Sequence, residues 1–147
     1  SYKMLHLPDG LSQDSLHMLM TCEPQIKEIG DLISRTDVLL FGIGTAMRMA
    51  DQRHIADDVR KQLIDNHAVG EALGQYCDIE GKLIYSTNNI GLSLPDVVKV
   101  PNVIAVAGGQ EKASAIIGVM RACRKGILII DEQAAEGMRQ LLQISAL

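Results

Sequence analysis

The segment Ala107-Gly108-Gly109-Gln110-Glu111-Lys112-Ala113 places two glycines and a lysine where an apolar run hands over to a helix-like pattern. Glycines at such a turn let backbone N–H groups come close to a ligand, and the N-terminus of the following helix favours an anion. A lysine in the first helical turn works against the helix dipole, at a cost of about 0.3–1 kcal/mol. An anion seated on the same N–H groups would relieve that misfit. A pair with Glu111, or plain solvation of the ammonium, would relieve it as well. The segment is not a P-loop, because G-x-x-x-x-G-K-[ST] is absent.

Two further constellations carry chemical potential. Phe41-Gly42-Ile43-Gly44-Thr45-Ala46 has the same strand, glycine and helix order. It holds half of a dinucleotide fingerprint, but Met47 stands at the third glycine position and no acidic residue closes a following strand. It reads as a tight turn or as an anion or sugar contact. Arg48 and Arg53 come next, and arginine is the natural fork for phosphate oxygens, although a surface role suits either. In His67-Ala68-Val69-Gly70-Glu71-Ala72-Leu73-Gly74, Glu71 sits among small and apolar residues, where an unpaired carboxylate is costly. It could take sugar hydroxyls, act as a general base, or pair with an arginine. His6, His17, His54 and His67 show no metal-ligand spacing, and neither a metal nor a cofactor is expected.

The elements that must hold these loops follow from periodicity. Tyr2 to Leu7 reads as a short strand ended by Pro8-Asp9-Gly10, so the chain reads as opening inside a domain. Helices are expected over Ser12–Met20, with Ser12 as N-cap, and over Pro24–Ser34, with proline in the first turn. Asp37 to Gly42 reads as a buried strand, Ala46–Asp51 and Ala56–Asn66 as helices. Val69 to Ser86 reads as an antiparallel excursion around Glu80-Gly81. A helical turn over Ser93–Lys99 precedes strand Val103–Ala107, helix Lys112–Arg121, strand Ile127–Ile130 and a closing helix Glu132–Leu142. This alternation predicts an α/β fold, a doubly wound, mostly parallel sheet flanked by helices. Phe41, Val103 to Ala107 and Ile127 to Ile130 are expected to be largely buried, with ligands bound beyond the carboxyl ends of the strands.

Composition narrows the classes. The 147 residues fit one domain; 47% are hydrophobic but only 3% aromatic, so aliphatic side chains must fill the core. The net charge of −4 and scattered basic residues speak against a nucleic-acid surface in this chain. Cys22, Cys77 and Cys123 are odd in number and widely spaced, which predicts reduced thiols in a cytoplasmic protein. No apolar run approaches the ~20 residues of a membrane span.

Taken in order, Met4 to Ser12, Asp37 to Arg53, His67 to Tyr76, Val100 to Ile116 and Leu128 to Ala135 resemble the effector domain of SorC/DeoR-type bacterial transcription regulators. The resemblance covers nearly the whole chain. It implies a Rossmann-like, sugar-phosphate-isomerase-like domain that senses rather than catalyses. Residues 1–147 would then be an effector-binding domain incomplete on its N-terminal side, where relatives carry a further strand, glycine-rich loop and helix. DNA binding would belong to an N-terminal helix-turn-helix absent here, and the protein would be a homo-oligomer. The effector implied is a phosphorylated sugar such as fructose 1,6-bisphosphate, lined by Gly44, Arg53, Glu71, Gly108, Gly109 and Lys112. The competing reading is a sugar-phosphate isomerase, deaminase or lactonase on the same fold.

Overall fold

The computed structural model describes residues 2–8 and 10–146, with side chains through 143. Two sheets organise it. In the first, β1 (Val38–Gly42), β6 (Asn102–Ala107) and β7 (Ile127–Ile130) run parallel in the order β1-β6-β7. In the second, β2 (Gly44–Thr45), β3 (Gly70–Ala72), β4 (Gln75–Cys77) and β5 (Leu83–Ser86) are antiparallel in chain order. The fold is mixed α/β, and the excursion expected over residues 69–86 supplies β3, β4 and β5 of this second sheet, with β2 added from Gly44–Thr45. Its β3–β4 hairpin turns on Leu73 (φ 55°) and Gly74 (φ 78°). Positive φ at both central residues is the geometry that matches the twist of paired strands.

Local chemistry opens the first two helices. The helix α1 (Gln13–Cys22) starts at Ser12, whose hydroxyl accepts the Ser15 N–H, and α2 (Pro24–Ser34) opens on its proline. The short α3 (Ala46–Gln52) and α4 (Asp57–Asp65) follow β2. A 3-10 turn over Pro95–Lys99 leads into β6. The crossover between β6 and β7 is α5 (Ala113–Cys123), and α6 (Glu132–Ala146) follows β7.

The pleat decides where the core sits. Leu39 pairs with Val103, Phe41 with Ala105, and Ala105 with Leu128, so these residues share one face. Against that face pack Ala115, Ile116, Val119 and Cys123 of α5 and Ala134 of α6. Each fully buried Ile or Val contributes about 1.5–3 kcal/mol relative to exposure.

Two expectations are corrected. Tyr2 to Leu7 forms no strand. No described strand runs beside it to supply a ladder; Leu5 and Leu7 instead border a hollow with Leu16 and the loop around Ile90. Asp9 lies outside the described residues. The expected burial of Ile127–Ile130 and of all of Val103–Ala107 fails on alternate residues. Val38, Leu40, Val106, Ile127 and Ile129 point to the other sheet face, where exposure runs from 41% at Val106 to 66% at Leu40. Among the described residues, helices cover this sheet on one side.

Candidate functional site

A cleft of about 490 Å³ opens beyond the carboxyl ends of β1 and β6. Its floor is the run Phe41 to Thr45, where β1 passes through Ile43 into β2. Arg48, Met49, Gln52 and Arg53 of α3 and its end form one wall. Glu71, Leu73, Val106, Glu111 and Lys112 complete it. The first glycine loop therefore does not feed a helix directly, as a dinucleotide fingerprint would require. A two-residue strand, paired to β3, intervenes.

Glu71 is placed by register. Gly44, Glu71, Tyr76 and Tyr85 stand opposite one another across β2 to β5 and so share a face. Gly44 contributes no side chain to that row. A Cβ on it would lie 2.5 Å from Met49 Cγ and 4.0 Å from Glu71 Oε2. Glu71 itself is 3% exposed. Its Oε1 accepts the Gly74 N–H at 2.7 Å and Arg53 Nη2 at 3.2 Å. Burial holds the carboxyl above its ordinary range, and the guanidinium and the Gly74 N–H pull it partly back. Of the alternatives read from sequence, the arginine partner is present. Oε2 takes no hydrogen bond among the described residues.

Arg53 is partly buried at the end of α3, with 29% of its side chain exposed. Its Nε is buried and meets no acceptor among the described residues, although a guanidinium presents five donors. Beside it the Tyr76 hydroxyl is likewise buried without a partner. Burial, then the Glu71 carboxylate, pushes its pKa up to about 12. Arg48 is exposed on the cleft wall.

Lys112 closes a 3-10 turn, Gln110–Lys112, just ahead of α5. Its N–H bonds to Gly109 O at 3.1 Å. The side chain lines the cleft and makes no ion pair among the described residues. Glu111 does not pair with it. Its carboxylate folds over Gly109, 2.5 Å from where a Cβ there would sit.

Gly108 and Gly109 are not among the residues lining the cleft. The Gly109 N–H donates to both oxygens of Asp131, at 2.9 and 3.1 Å. Asp131 Oδ1 also accepts the Ala134 N–H at 2.8 Å, capping α6. These two N–H groups, with a smaller pull from Lys112, hold the Asp131 carboxyl below its ordinary range. The structure thus brings Gly44, Arg53, Glu71 and Lys112 to one cleft, and adds Arg48. Sequence reasoning missed Met49, Gln52 and Asp131. An aspartate directly after a strand, three residues before the first buried position of a helix, is an N-cap signature that could have singled out Asp131.

The whole site falls within a recognised family. Residues 1–140 match the family model described as "Putative sugar-binding domain", and the chain belongs to that family. It is 36% identical over 136 residues to the "Central glycolytic genes regulator" of Bacillus subtilis (strain 168), covering 92% of this chain and 40% of that protein. It is 38% identical over 135 residues to the protein of the same description from Priestia megaterium, covering 92% and 39%. Among solved structures, a "putative SorC family transcriptional regulator" from Enterococcus faecalis superposes with a TM-score of 0.85 at 38% identity, covering 94% of this chain and 56% of that one. These relatives are transcription regulators, and this chain spans about two fifths of the length of the two curated ones.

Proposed function

We propose that these residues are the effector-sensing domain of a bacterial repressor of sugar or glycolytic genes, and that the cleft binds a phosphorylated sugar such as fructose 1,6-bisphosphate. One observation carries the reading. Arg48, Arg53 and Lys112 converge on a single cleft that also holds a buried, hydrogen-bonded carboxylate. Cations that meet phosphate oxygens form charge-assisted bonds roughly twice as strong as neutral ones. In this reading Lys112 and the arginines meet the phosphate, and Glu71 Oε2 accepts a sugar hydroxyl beside the bare backbone of Gly44. Gly108 and Gly109 shape the turn that presents Lys112.

Binding then modulates contact with operator DNA through a DNA-binding part outside these residues, in a cytoplasmic homo-oligomer. The domain binds without turnover. Its carboxylate is held by Arg53 and Gly74, whereas sugar-phosphate chemistry needs both a base and an acid aimed at one substrate. The kinship to transcription regulators supports the same view.

Calorimetric titration of the intact regulator with fructose 1,6-bisphosphate tests this. Wild type is expected to bind. Lys112→Ala is expected to bind about 10- to 100-fold more weakly, the loss of one charge-assisted bond, with little change in the ligand-free melting curve. Absence of binding by wild type refutes the reading. So does sugar-phosphate turnover that disappears in Glu71→Gln.

A further inference from the structure

We infer that Asp131, which does not reach the cleft, is a positioning residue for the effector: its carboxylate ties the Gly108–Lys112 turn to the start of α6 and so sets where Lys112 enters the cleft. The inference rests on the reading of the cleft as a sugar-phosphate site.

The placement follows from the sheet. Ala107 ends β6 opposite Ile130, the last residue of β7. The next residues on each strand, Gly108 and Asp131, therefore come side by side. A Cβ on Gly108 would lie 2.8 Å from Asp131 Oδ2, so the aspartate needs the bare backbone it rests on. Both its oxygens accept the Gly109 N–H. That donor is one a strand-to-helix glycine turn would otherwise offer to a ligand anion; here the protein's own carboxylate takes it.

Gly109 in turn governs Lys112. Its φ of +98° is accessible to glycine at little cost, and its carbonyl accepts the Lys112 N–H. Once Asp131 fixes Gly109, the 3-10 turn and the direction of the lysine stem follow. The Asp131 carboxylate also acts on Lys112 across space. No ion pair among the described residues restrains the lysine. The tie to Gly109 is additional to what a helix cap requires, since capping uses the Ala134 N–H alone.

That difference supplies the experiment. Asp131→Ser in the intact regulator keeps an oxygen able to cap α6, but its hydroxyl, carried on Cβ one bond short of the carboxylate oxygens, does not reach the Gly109 N–H as well. The ligand-free melting curve should stay close to wild type while affinity for fructose 1,6-bisphosphate falls about tenfold. In a Lys112→Ala background the same change should cost little more, because the two residues act as one unit. Should the serine variant fold poorly, Asp131→Thr, another capping residue with its hydroxyl on Cβ, is read in the same way. Wild-type affinity in the capping-competent variant, or losses that simply multiply with Lys112→Ala, overturns the inference. If Lys112→Ala weakens binding and the Asp131 variants do not, only the positioning role falls. If wild type does not bind, the cleft reading falls with it.

Discussion

Glu71 brings a titratable group into the interior, and the sign of its shift makes a testable statement. Its carboxyl is raised above the ordinary value of 4.5, with burial the larger effect and Arg53 and Gly74 opposing it. Between that value and the raised one, the folded protein holds a proton that the unfolded chain has released. Stability must therefore fall as pH rises through this window and level off above it. Glu71→Gln removes the titration while keeping an acceptor for the Gly74 N–H. Urea midpoints for wild type and Glu71→Gln, compared from pH 4.5 upward, should shift progressively in favour of glutamine. A difference that stays constant across that range would mean that Arg53 and the Gly74 N–H fully offset burial.

At the scale of elements, α5 is held against the second sheet by two glycines that admit no side chain. A Cβ on Gly70 of β3 would fall 2.8 Å from Ala115 O and 2.9 Å from Ala115 Cα. One on Gly118 of α5 would fall 2.4 Å from Asp78 O. Backbone cannot yield as a flexible side chain does, so Gly70→Ala is expected to destabilise by about 1–3 kcal/mol. Chemical denaturation measures it, and an unchanged midpoint would show that the helix can move away. Elements of this kind were readable from local chemistry: Ser12 caps α1, Pro24 opens α2, and Ile127 to Ile130 is a strand, all as spacing predicts. What spacing could not supply is which neighbour each element meets. Tyr2 to Leu7 has the alternation of a strand but no described partner. Arg53 and Glu71 lie 18 residues apart in sequence, and only the β2–β3 pairing beside α3 brings them together. Asp131 was legible as an apolar run's end, not as the partner of Gly109, because that contact depends on β6 and β7 being adjacent.

At the scale of the whole molecule, the parallel sheet has one packed face and, among the described residues, one bare one. Apolar surface in a native protein is concentrated here on neighbouring strands, with Val38 and Leu40 on β1, Val106 on β6, and Ile127 and Ile129 on β7. A contiguous exposed patch of this sort is unusual for a soluble monomer. The 147-residue polypeptide should therefore light up an environment-sensitive fluorophore such as anilinonaphthalene sulfonate while its circular dichroism still reports a folded chain. Such dye uptake is ordinarily the mark of a loosened, molten state; here it would come from an ordered one. Leu40→Lys together with Ile129→Lys should quench the emission without shifting the melting curve downward. Emission that persists in the double variant would place the dye elsewhere. Fluorescence from this domain is thus a poor gauge of misfolding, and purity judged by such a probe would reject correctly folded material.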